Sequence, residues 1–199
     1  MKLDVVKVRS DELIALKVLK KYFPQYQGLE ILEEDKPDLK DLRNSMGVEV
    51  TRAVNEDVEN IISYMNKNSK NYKKTPRPEA IERARQEGVI YNDEGIEGFY
   101  RFFGKKEINL LHKSIEKKYA KKYQGLKTID LYIFFRQFFM ECLSDNDIQS
   151  LFQTIENCEK KCGKIFNNII IDFYNRFLIL DTTSKTCKKI KINNSCKPE

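Results

Sequence analysis

Two carboxylates near the start of the chain are spaced to act together. Asp38 follows Pro37 in the run Lys36-Pro37-Asp38-Leu39, and Glu49 sits in Gly47-Val48-Glu49-Val50-Thr51. The second run alternates apolar with polar, as a half-buried strand does, so Val48 and Val50 are expected to face the core and Glu49 and Thr51 the other side. Between the two runs, Asn44 and Ser45 supply turn chemistry. Residues 37–42 and 47–51 are therefore expected to form the arms of an antiparallel hairpin. Asp38 then lies beside Glu49, and two carboxylates converge on one point. Hard divalent cations such as Mg²⁺ or Mn²⁺ take oxygen ligands of this kind and keep several waters. A cation so held activates water and stabilises the charge that builds on a phosphate. The bland alternative is a polar strand face beside an exposed hairpin.

Glu12 is a third acid of interest. It shares a helical face with Leu16, Leu19 and Phe23, pointing toward the sheet, where a carboxylate is costly unless paired or bound to a metal. A glutamate in a first helical turn also complements the helix dipole without any further role. No Gly-rich phosphate loop is present, and His112, the only histidine, weakens any Ser-His or Cys-His mechanism.

The elements that position these residues follow from periodicity. Ser10 precedes a helical pattern of Leu13, Leu16, Leu19 and Phe23, which Pro24 ends. Strands are expected at 28–32, 37–42 and 47–51. A helix with Val58, Ile61, Ile62 and Met65 follows, then a polar, basic loop over 66–78 and a short helix over 79–87. Ile108, Leu111, Ile115 and Tyr119 form the stripe of an amphipathic helix over 108–123. Thr128 to Phe135 is aromatic and β-branched and reads as a central strand. Ser144 caps a helix carrying Ile148, Leu151, Phe152 and Ile155. One or two strands are expected over 165–180 and another near Ile190. This is an α/β (α+β) pattern, a central mixed sheet flanked by helices. The crossover from 47–51 through the 108–123 helix makes the strands at 47–51 and 128–135 parallel neighbours. The chain reads as one domain over 1–199, with a loop and helical insertion at 66–104 and a frayed basic tail.

Pro37-Asp38 followed by Glu49-Val50-Thr51 on the next strand, with a helix before and a helix then a strand after, resembles the active-site pattern of the PD-(D/E)XK (restriction-endonuclease-like) nuclease superfamily. The resemblance spans residues 10–135. It implies a restriction-endonuclease-like core and a metal-dependent nuclease that hydrolyses phosphodiester bonds in DNA or RNA, with Mg²⁺ or Mn²⁺ held by Asp38, Glu49 and Glu12. The superfamily's lysine, two residues after the glutamate, is replaced here by Thr51. The resemblance then implies a lysine supplied by a neighbouring element. At about 100° per residue, Lys118 flanks the apolar stripe of the 108–123 helix, while Lys113 and Lys117 fall opposite it. Lys118 is the candidate for orienting water or stabilising the pentacovalent phosphate. The missing lysine fits equally an inactive member that binds nucleic acid or protein.

Charge is consistent with a polyanionic partner. The formal net charge is +6 and the pI about 8.9, a mild push toward nucleic acid. Lys70, Lys73 and Lys74 on the 66–78 loop, and Lys113, Lys117 and Lys121 on the helix, are the expected phosphate contacts. Five cysteines at irregular spacing argue against a disulfide framework. No apolar run is long enough for a bilayer, and Met1-Lys2-Leu3-Asp4 lacks a secretory stretch, so a cytoplasmic location is expected.

Overall fold

The computed structural model describes residues 10–31, 37–54, 77–86, 89–92, 95–99, 105–123, 125–135, 140–173 and 176–192. The expected helix over 58–65 and the loop carrying Lys70, Lys73 and Lys74 lie outside these residues. The chain divides into two compact units, Met1–Ala53 with Leu111–Glu199, and Val54–Leu110.

The larger unit is built on a six-stranded mixed open sheet, so the α/β class holds. Helix α1 (Ser10–Tyr22) is followed by strands β1 (Leu39–Asp41) and β2 (Met46–Arg52). In the smaller unit lie α2 (Pro78–Gln86) and the hairpin β3 (Val89–Asn92) and β4 (Gly95–Phe99). Helix α3 (Lys105–Tyr119) leads back into the larger unit, which continues with β5 (Thr128–Phe134), α4 (Asp145–Cys162), β6 (Asn168–Asp172), β7 (Arg176–Asp181) and β8 (Thr186–Lys191). The sheet order is β1-β2-β5-β6-β7-β8. β2, β5 and β6 run parallel to one another, and the outer pairings are antiparallel.

Composition explains the placement of each strand. β5 and β6 are rich in Ile, with Leu, Tyr and Phe in β5, and are buried on both faces, as parallel central strands must be. β8 is exposed almost throughout, and Lys188, Lys189 and Lys191 mark it as a charged edge. The β1–β2 turn is fixed by Asp41, whose Oδ1 accepts from the Arg43 and Asn44 amides at 3.0 and 3.2 Å. Ser45 closes it at φ 51. At the start of α4, Ser144 forms a capping box with Asp147.

One sheet face packs on α1. Val48, Val50, Tyr132, Phe134 and Ile170 join Ala15 and Leu19 in a single core cluster. The other face carries Glu49, Leu131, Ile169 and Leu180 in one row across β2, β5, β6 and β7. α3 covers that face through Leu111, Ile115, Lys118 and Tyr119, all buried. α4 packs beside α3, where His112 bridges Thr154 at 2.7 Å and Ser150 at 3.3 Å.

Several expectations shift in detail. The strand expected at 28–32 is reduced to one antiparallel bridge, Glu30 to Lys40. α1 buries the stripe Glu12, Ala15 and Leu19, while Leu13 is 43% exposed. The rings at the end of the helix set its rotation: Phe23 packs edge-on to Phe177 at 5.2 Å and Tyr22 lies 6.1 Å from the same ring. α3 ends at Tyr119 rather than 123. The glycine-punctuated stretch after α2 folds as the β3–β4 hairpin. No helix among the described residues is long and apolar enough to cross a membrane.

Candidate active site at the open edge of strand β2

β2 is longer than its antiparallel neighbour. The pairing of β1 with β2 stops at Leu39 opposite Val48, because Pro37 and Asp38 bend out of the ladder. The bend carries the Pro37 ring over Gly47. A Cβ at position 47 would sit 2.3 Å from Pro37 Cγ and 2.6 Å from Leu126 Cδ1, so only glycine admits this approach. Val50 is thereby left on β2 with no β1 residue across from it.

Buried backbone groups rarely go unpaired, and side chains complete this one. The Val50 amide donates to Asp38 Oδ2 at 2.6 Å. The Val50 carbonyl accepts from Lys118 Nζ at 3.1 Å. Asp38 and Lys118 thus occupy the edge that β1 vacates.

Glu49 stands next to this edge and is 0% exposed. The alternation in its strand predicts a polar outer face, and the structure corrects that expectation. α3 covers the face, so Glu49 is the one charged side chain in an otherwise Leu and Ile row. A carboxylate taken from water this completely costs several kcal/mol unless charges and hydrogen bonds compensate it. Lys118 Nζ donates to Glu49 Oε1 at 2.6 Å and Lys121 Nζ to the same oxygen at 2.8 Å. Glu49 Oε2 is buried and accepts no hydrogen bond among the described residues.

Electrostatics tie the groups into one cluster. Burial lowers the Lys118 pKa, against the opposing pull of Glu49 and Asp38. At Lys121, burial also pulls downward, but the hydrogen bond and charge of Glu49 outweigh it and the net shift is upward. The Tyr123 hydroxyl lies beside the same charges and donates to the Lys118 carbonyl at 3.4 Å. Burial first, and then Glu49 and Asp38, raise its pKa far above the ordinary phenol value. Two acids and two lysines balance in charge within the cluster.

The structure brings together Asp38, Glu49 and Lys118. Lys118 is 6% exposed, so it is not a solvated surface lysine. Lys121, expected at phosphates, instead holds Glu49. Tyr123 carried no sequence signal. Glu12 is buried on α1 at 9% exposure. It lies with Ala15 and Leu19 on the stripe of α1 that packs on the Val48 and Val50 face, beside Asp11, which pairs with Arg52. Lys113 and Lys117 are exposed on α3, as expected. Cys158, Cys162 and Cys187 are free thiols.

The chemistry of the donor set can be tested against a divalent cation. Glu49 Oε2, buried and accepting no hydrogen bond among the described residues, is an oxygen of the required kind, and Asp38 shares its surroundings. Among the described residues no three His, Cys, Asp or Glu side chains group around one point. Mg²⁺ does not require such a cage, since one or two carboxylates and substrate phosphates commonly hold it. Asp38 and Glu49 therefore fit as a two-carboxylate site. No family model, curated protein or solved structure matches this chain.

Proposed function

We propose that the chain is a metal-dependent nuclease with a restriction-endonuclease-like core, hydrolysing phosphodiester bonds in DNA or RNA. The observation that carries this reading is the convergence of Asp38, Glu49 and Lys118 on the Glu49–Val50 peptide. The order α1, β1, β2, α3, β5 supports it, with β1 and β2 antiparallel and β2 and β5 parallel. Mg²⁺ or Mn²⁺ held by Asp38 and Glu49 would supply an activated water and charge stabilisation at the phosphate. Asp38 and Glu49 provide oxygen ligands. Lys118 reaches the site from α3 and supplies the positive charge that Thr51 cannot. Its ammonium is placed to stabilise negative charge on a phosphate brought beside Glu49. Lys121 holds Glu49 in position.

A second reading has its own observation. Both lysines already satisfy Glu49 Oε1, and four groups of balanced charge could serve only to brace the open edge of β2. The protein would then bind nucleic acid or protein without cutting. Incubation of supercoiled plasmid and of RNA with purified protein, in Mg²⁺, Mn²⁺ or EDTA, separates the two. Metal-dependent cleavage lost in Asp38→Ala supports the nuclease. Intact substrate throughout, with the fold retained, supports the binding module.

A further inference from the structure

Beside the acidic pair lies a cavity of about 420 Å³ that the proposed reaction does not use. Its lining includes Lys121, Lys122, Lys127 and Lys164, with Tyr123 and Leu126 on the side toward the site. Its volume falls in the range of small-ligand sites, roughly 300–1,000 Å³. No carboxylate appears among its described lining residues. Lys121 directs its ammonium to Glu49, so it joins the cavity to the acidic pair. Leu126 also covers Gly47, and the Lys127 amide is anchored to the Ser45 carbonyl at 2.9 Å. Lys164 reaches Thr183. Among the described residues, Lys122 and Lys127 have no carboxylate at ion-pair distance, while Lys164 lies near enough to Asp181 to act on its charge.

A concave site with a surplus of ammonium groups and no acid in its described lining attracts a compact, multiply charged anion. A position adjoining the acidic pair selects which one. We infer that this cavity binds a phosphate of the nucleic-acid strand whose neighbouring linkage lies at Glu49. This inference rests on the nuclease reading for the identity of its ligand. It also revises the expected contact surface. Lys113 and Lys117 lie about 140° and 100° around α3 from Lys118, turned away from the site, whereas the cavity lysines border it.

The test uses the full chain in EDTA, so that cleavage plays no part. The probes are fluorescent 12-nucleotide DNA strands ending in a 5′-phosphate, in a 3′-phosphate, or in hydroxyls only. Two double variants carry the same change in net charge: Lys127→Ala with Lys164→Ala in the cavity, and Lys113→Ala with Lys117→Ala on the exposed face of α3. The cavity variant is expected to bind roughly tenfold more weakly, with a log–log salt slope reduced by about one unit or more, and the helix variant to change far less. If a phosphorylated end binds more tightly and the cavity variant abolishes that preference, the bound group is a terminal phosphate. If all three strands bind alike and still depend on the cavity lysines, it is an internal one. Equal losses in the two variants, or no loss in either, overturn the proposal. Asp38→Asn keeps the cavity intact, so failure of cleavage and failure of this site are read separately.

Discussion

Replacing Lys118 with Met tests the architecture of the site before any activity is measured. Met preserves much of the length of the side chain and removes only its charge and donors. Two contacts are lost, the bond to Glu49 Oε1 at 2.6 Å and the bond to the Val50 carbonyl at 3.1 Å. A hydrogen bond to a charged group contributes about 1.5–3 kcal/mol and one to a backbone carbonyl about 1 kcal/mol. Lys121 still neutralises Glu49 at 2.8 Å. The expected loss is therefore about 3 kcal/mol, the lower end of the 3–5 kcal/mol seen when one partner of a buried pair is removed. Urea unfolding at pH 7 measures it. Glu49→Gln should cost a similar amount by leaving Lys118 buried beside a neutral group. The double variant should cost less than the two single losses added together, with a coupling of more than about 1.5 kcal/mol. A Lys118→Met protein within about 0.5 kcal/mol of the parent, or strictly additive losses, would refute the buried contact on which the site depends.

Other outcomes follow from the same structure. Gly47→Ala forces a methyl against Pro37 and Leu126 and should lower stability by about 1–3 kcal/mol in the same unfolding assay. Ser144→Ala removes the α4 cap and should cost about 1 kcal/mol, with no effect on nucleic-acid binding. Asp130 accepts from Tyr26 at 2.6 Å and from the Asn168 amide at 2.7 Å, yet burial outweighs these bonds and raises its pKa. The folded state therefore holds this proton to higher pH than the unfolded state does. Stability falls as pH rises through the window between the two values. Asp130→Asn cannot titrate, so its stability relative to the parent should improve as pH rises above about 4, and a pH-independent difference would contradict the assignment.

Much of the scaffold is legible in the sequence because its signals are local. The aromatic and β-branched run at 128–134 specifies a central strand, Ser144 marks the start of α4, and the stripe of Leu111, Ile115 and Tyr119 orients α3 well enough to bring Lys118 to the sheet. What local signals miss comes from tertiary contact. Alternation in 47–51 identifies a strand but says nothing of what covers its second face, so the complete burial of Glu49 is not visible. The bend at Pro37 is equally hidden, since it depends on the space above Gly47 and on Leu126 arriving from 79 positions later in the chain. Lys121 and Tyr123 lie beyond the last turn of α3, where helical spacing no longer predicts direction. The rotation of α1 is set by Phe177, far away in sequence, and this turns Leu13 outward and buries Glu12.

The most direct measurement is the initial rate of nicking of supercoiled plasmid in Mg²⁺ or Mn²⁺ by the parent, Asp38→Asn and Lys118→Met proteins, compared at equal folded fraction. The account predicts cleavage by the parent that EDTA abolishes, none above background from Asp38→Asn, and a rate on the order of 10²–10³-fold lower from Lys118→Met. Cleavage by Asp38→Asn at the parent's rate, or no cleavage by the folded parent protein with either metal on DNA or RNA, would contradict it.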